Sequence, residues 1–266
     1  MATLSYHEQK DIENIKKLRE LQKELPSFCS DFFRGIETST STRTRIAYAY
    51  DLKIFFQFLK TANPGTFDNP SHTLTPSDLE KLTVTDLEEY IDYLKCHPSD
   101  TNEDVINTER GLMRKVSSLR SFYSYFFRNE RIEKNPAALV RMPKLHEKEI
   151  IRLEIDEVAK LLDEVEEGDK LTEKQKLYHE RTKVRDLAMM SLLLGTGIRV
   201  SECVGLNIND IDLDTCGARV YRKGGKESVI YFSDEVRDVL EDYLDEREMI
   251  DAVPGNEDAL FLSMQR

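Results

Sequence analysis

The chain of 266 residues contains no apolar run approaching the ~20 residues a membrane-spanning helix needs, so a helical membrane anchor is not expected. Its first residues, MATLSYHEQKDIENIKK, are charged and hold no apolar h-region, so no signal peptide is expected either. Cysteine is scarce. Cys29, Cys96, Cys203 and Cys216 are scattered without metal-ligand spacing, which argues against a zinc site and suits a reducing, cytoplasmic location. Positive charge is in short supply too: 38 Lys and Arg face 50 Asp and Glu, a net charge of −12 that at first sight argues against a polyanionic partner.

The distribution of that charge is more informative than its sum. Almost all of the acid excess falls after residue 150, much of it in the segment from Asp234 to Glu248. Between Arg110 and Lys144 the balance reverses, with nine basic residues against Glu130 and Glu133. A basic stripe inside an acidic chain is an electrostatic footprint for nucleic acid that the overall charge conceals. The remaining composition, 39% hydrophobic and 33% charged, is that of a soluble, helix-rich protein long enough for two domains.

The stretch from Arg185 to Phe232 is the most informative. Leu187 to Leu194 is apolar almost all round and predicts a buried helix. Gly195 and Gly197 flank Thr196 where a helix end and a tight turn call for positive φ. A new helical turn follows, with Val200, Cys203 and Val204 facing inward and Arg199 at its start. A guanidinium at a helix N-terminus suits phosphate; a turn-closing pair with Glu202 explains the same spacing, and both readings stand. After Leu213 the period changes to two, with Ala218 and Val220, then Val229 and Tyr231, around a Gly224-Gly225 hairpin turn bracketed by Lys223 and Lys226. By spacing alone those lysines are a solvated hairpin tip.

Taken together, G-T-G-I-R-V-S-E-C-V-G-L, followed by R-K-G-G-K-E, resembles the first active-site box and the β-hairpin lysine of the tyrosine recombinases, in the style of Xer-like enzymes and phage or transposon integrases. The resemblance extends over roughly residues 20–266. It implies that Arg199 binds the scissile phosphate, that Glu202 supports it, and that Lys223 protonates the leaving 5′ oxygen, with Lys226 as the alternative. It also implies a mainly α fold with a small antiparallel sheet: an all-α, SAM-like core-binding domain, then a mixed α/β catalytic domain. No cofactor and no metal are expected. The implied partners are double-stranded DNA and further recombinase protomers, as a tetramer on DNA.

Other segments fit that plan. Residues 5–25 read as a polar helix with Ile12, Ile15, Leu18 and Leu21 at core-like spacing, either a packing arm or a solvated leader. Phe28, Phe32 and Phe33 begin a short helix. From Thr40 to Lys60 a long helix is expected, capped within Thr40 to Thr42, with Ala47, Leu52, Phe55 and Leu59 inward and Arg45 and Lys53 outward. The resemblance places Arg45 near the DNA backbone; Lys53 reads as a solvated cation. A proline-rich loop, a helix to Leu94 capped at Thr85-Asp86, and a polar loop from Cys96 to Val105 come next. Asn107 to Phe127 predicts the next long helix, burying Leu112, Val116, Leu119, Tyr123 and Phe126. Its other face, with Arg110, Arg114, Ser118 and Ser121 and the neighbouring Lys115, suits a phosphate backbone or a groove. The resemblance to the R-x-x-S-x-x-R-x-F-Y-x-Y helix of Xer-like core-binding domains is close. Lys144 lies in a semi-extended, proline-bearing linker at about residues 141–150. The expected domains are therefore an arm at 1–25, a core-binding domain at 26–145, and the N-terminal part of the catalytic domain at 151–266.

Residues 164–182 read as a charged loop with a helical turn, and Ala259 to Ser263 as a short strand. The family's H-x-x-R box and tyrosine nucleophile are not found: none of His7, His72, His97, His146 and His179 has arginine three residues later. Tyr221 and Tyr231 read as cross-strand packing. The expectation is a recombinase chain without its nucleophile. A DNA-binding derivative that occupies recombination sites is the alternative, and a helical interaction protein without nucleic acid is a third.

Overall fold

The computed structural model describes residues 6–98, 103–146, 149, 151–222 and 226–263. The protein is mainly helical with two small antiparallel sheets, and it divides into two compact units: residues 9–149, and residues 150–266 with 1–8. Among the described residues no helix is long and apolar enough to cross a membrane.

The first unit contains α1 (Tyr6–Lys23) from Gln9 onward, α2 (Cys29–Gly35), α3 (Thr42–Ala62), α4 (Pro64–Phe67), α5 (Pro76–Leu79), α6 (Val84–Lys95), a two-stranded ribbon of β1 (Cys96–Pro98) and β2 (Asp104–Ile106), and α7 (Glu109–Arg128). Side-chain caps start the long helices: Ser41 accepts from the Thr44 N–H, Thr83 from Asp86 N–H, and Thr108 from Gly111 N–H. The cap of α6 is thus Thr83, with Asp86 returning a bond to the Thr83 N–H. The core is strongly aromatic. Phe28, Phe32, Phe55, Phe56, Phe122 and Phe126 interlock, mostly edge to face, around Leu52, Leu87 and Leu119. Leu18, Leu21 and Leu25 are buried in the same core, so the packed reading of residues 5–25 is the one the structure has. On α3 the buried alanine is Ala49 rather than Ala47. The segment read as a polar loop after Leu94 forms the β1–β2 ribbon, in which His97 is buried and stacks on Tyr93.

The second unit contains α8 (Ile155–Glu167), α9 (Glu173–Thr196), α10 (Val200–Cys203), a sheet of β3 (Ile211–Asp212), β4 (Gly217–Arg222) and β5 (Lys226–Tyr231) in that order, and α11 (Asp234–Glu248). Its core gathers Ala188, Leu192, Ile198, Cys203, Leu206, Ala218, Val220, Leu240 and Leu260. Three expectations change here. Residues 173–182 are not loop but the first turns of α9, started by Thr172 with Gln175. The Leu187 to Leu194 segment is buried on one side only, at Ala188, Ser191 and Leu192, while Leu194 is exposed. Ala259 to Ser263 forms no strand; a single bridge joins Asn207 to Ala259, and the Leu260 N–H donates to Leu206 O.

Candidate functional site

In the second unit the turn between α9 and α10 builds the site. Gly197 takes φ +67, and its N–H donates to Leu193 O, which ends α9 in the left-handed conformation glycine tolerates. Gly195 does a different job from the one its sequence position suggests. It stays helical, and a Cβ there would lie 2.9 Å from Val236 Cγ2, so its bareness admits α11. Ile198 and Cys203 anchor the turn in the core, and burial pushes the Cys203 thiol up to about 12, leaving it a small apolar filler.

Arg199 is the N-cap of α10. Its backbone N–H donates to Glu202 Oε2 at 2.9 Å, and its Nη1 donates to Glu202 Oε1 at 2.7 Å. The carboxylate is 5% exposed and the arginine side chain 67% exposed. The Arg199 N–H bond, with the guanidinium and the nearby charge of Arg222 adding to it, holds the Glu202 carboxyl below its ordinary range despite burial. The two readings of Arg199 are therefore compatible: Glu202 closes the turn and leaves most of the guanidinium in solvent. Since α10 is a single turn, its dipole adds little, and the guanidinium is the principal positive charge.

Lys223, Gly224 and Gly225 lie outside the described residues. Lys226 is exposed and pairs in register with Arg222. Arg222 was not singled out from the sequence. Period two puts it on the same face as buried Ala218 and Val220, the face that packs against α10, and that alternation was the available signal.

In the first unit, α7 presents its cations unequally. Arg110 is exposed. Arg114 is half-exposed and gives two donors to Asp51 of α3, with Nη2 to Oδ1 at 2.8 Å. Lys115 is buried, its Nζ donating to Asn107 Oδ1 at 2.6 Å. Ser118 is fully buried, its Oγ facing the Asp51 carboxylate without completing a well-formed hydrogen bond. Arg45 is also buried, on Glu37 at 2.7 Å. Thus Arg45, Lys115 and Ser118 do not lie on an open face: α3 packs against this side of α7, and Arg45 folds back over the start of its own helix. Lys53, read as solvated, pairs with Glu24 at 3.0 Å. Arg120 belongs to the fold, its guanidinium holding the carbonyls of Ala137, Ala138 and Val140. Lys144 is exposed, and two residues on His146 meets Glu109 at the start of α7, bringing the linker back beside Arg110.

Each unit therefore carries its own candidate feature: in the second, a solvent-facing arginine oriented by a buried glutamate; in the first, a helix whose outer cations are Arg110 and Arg114. Among the described residues no group of three or more His, Cys, Asp or Glu is placed to hold a metal ion.

A helical unit followed by a helix–turn–sheet unit carrying this arginine is the organisation of a tyrosine recombinase, and the chain belongs to that family, in its Xer-like branch. Residues 151–266 match the model of the phage integrase family. The tyrosine recombinase XerS of Streptococcus uberis is 30% identical over 95% of this chain and 76% of its own length. The tyrosine recombinase XerC of Caldanaerobacter subterraneus subsp. tengcongensis is 34% identical over 82% of this chain and 58% of its own length, so the chain spans about three-fifths of that relative. A lambda integrase tetramer bound to a Holliday junction shares the fold, with a TM-score of 0.56 at 17% identity over 90% of this chain and 60% of that one.

Proposed function

We propose that this chain contributes DNA and phosphate binding to site-specific recombination, in which DNA is cut and rejoined through a 3′-phosphotyrosyl intermediate whose nucleophile these 266 residues do not supply. Residues 26–145 act as the core-binding domain, with residues 1–25 as its helical arm, and residues 151–266 as the first part of the catalytic domain. Arg199 binds the scissile phosphate and neutralises charge that builds on its oxygens; Glu202 fixes the guanidinium's direction. A tyrosine oxygen attacks phosphorus, the bond to the 5′ oxygen breaks, and that oxygen takes a proton from Lys223, with Lys226 as the alternative donor. The phosphotyrosyl bond keeps the diester's energy for rejoining by a new 5′ hydroxyl. Arg110, Arg114 and Lys144 meet the DNA backbone, and a tetramer of protomers on DNA carries out exchange.

The observation that supports this reading best is the buried Glu202 holding an exposed Arg199 in a chain of the tyrosine recombinase family. The test combines a salt titration of duplex binding with a suicide substrate that traps covalent adducts. A negative slope of log affinity against log salt without an adduct is expected. Salt-independent or absent binding would leave a helical interaction protein instead. An adduct that disappears when Tyr221 or Tyr231 becomes Phe would place the nucleophile in this chain.

A further inference from the structure

We infer that Asp51 is a positioning residue for DNA contact: from the interior of the first unit it holds the Arg114 guanidinium in the orientation that meets a backbone phosphate. This rests on the proposed contact of Arg114 with DNA. Asp51 sits on α3, 63 positions before its partner, and its side chain is 3% exposed while that of Arg114 is 46% exposed. The pair is a fork: Nη1 and Nη2 each give one N–H to a separate carboxylate oxygen. A guanidinium has five N–H donors, so three remain for another acceptor on the half-exposed side. Such a fork fixes the plane of the guanidinium as well as its position, which a lone surface arginine lacks.

Stability does not account for the arrangement. An ion pair with one buried partner adds little over apolar packing of the same volume, and burial pushes the Asp51 carboxyl up to about 6 even with Arg114 and Lys115 beside it. The groups that face this carboxyl are Arg114, Lys115 and Ser118 from α7 and Tyr90 from α6. Lys115 is in turn held by Asn107, whose side-chain amide donates to Leu94 O. One buried anion therefore stands behind two cations, and the outer one keeps its free edge toward solvent.

The sign of one substitution separates positioning from simple charge. Asp51→Asn removes a negative charge close to the DNA-facing surface, so electrostatics alone predicts tighter binding of a random-sequence duplex. Positioning predicts weaker binding, by about ten-fold, equivalent to ~1.4 kcal/mol, and no further loss on an Arg114→Ala background. Tighter or unchanged binding in Asp51→Asn, with Arg114→Ala still weakened, overturns the positioning role and leaves the Arg114 contact standing. An equal loss on both backgrounds makes Asp51 merely structural and also overturns it. No effect of Arg114→Ala removes the DNA contact itself. A second measurement needs no change at Asp51. As pH falls from about 7.5 to about 5.5 the carboxylate takes up a proton, and the affinity ratio of the native chain to Arg114→Ala should narrow; a constant ratio counts against the inference.

Discussion

Glu202 accepts from Arg199 twice, once from the backbone and once from the guanidinium, and its carboxyl is held below its ordinary value of 4.5. A carboxylate with a lowered folded-state pKa stabilises the fold above its unfolded pKa, and the contribution is lost as pH falls through the folded value. Glu202→Gln should therefore cost ~1–3 kcal/mol near neutral pH, and the difference should vanish in acid; urea melts at the two pH values measure it. Asp51 has the opposite sign. Its pKa rises from 3.8 to about 6, so the folded chain binds a proton that the unfolded chain does not, and stability falls as pH rises through that window. Asp51→Asn should flatten that part of the pH–stability curve. If Arg110 and Arg114 meet DNA as proposed, changing both to Ala should flatten the salt dependence of duplex binding by up to ~2 units. In an intact recombinase carrying these residues, a 5′-thio leaving group should restore cleavage to Lys223→Ala and not to Arg199→Ala, because a better leaving group needs no acid.

The two glycines at the end of α9 separate two demands on the chain. Gly197→Ala forces a Cβ into the left-handed region at φ +67, whereas Gly195→Ala pushes against Val236 of α11. Gly195→Ala should lower stability by ~1–3 kcal/mol through overpacking, and the smaller Val236→Ala should recover part of that loss; thermal melts of the single and double variants measure it. The sequence made these glycines conspicuous but could not distinguish them, since α11 begins nearly forty residues later. The same limit applies to α7. Its apolar stripe was legible, and Val116, Leu119, Tyr123 and Phe126 are all buried. The flank carrying Arg114, Lys115 and Ser118 looked like a free polar face because its neighbour, α3, is distant in sequence. Arg199 and Glu202 were legible for the converse reason: three residues apart, they make their contact within a single turn.

Across the whole chain, the two units differ in what they are made of. The first is built on interlocked rings, the second on aliphatic side chains around a three-stranded sheet. The second unit opens with Ile151, Leu153 and the start of α8 at Ile155, all exposed. Limited proteolysis should cut in this region first and leave a resistant fragment near residues 9–149; loss of that fragment before residues 151–266 are degraded would contradict the division. The uneven placement of aromatic side chains also determines how the molecule responds to light. With no tryptophan, its near-ultraviolet signals come from tyrosine and phenylalanine. Rings fixed against one another, from Phe28 to Phe126, belong almost entirely to the first unit, and Tyr243 against Phe261 is the main counterpart in the second. Near-ultraviolet dichroism is therefore chiefly a gauge of residues 9–149, while far-ultraviolet dichroism registers the helices of both units. Heating the chain while recording both bands would show the two curves separating wherever one unit melts without the other.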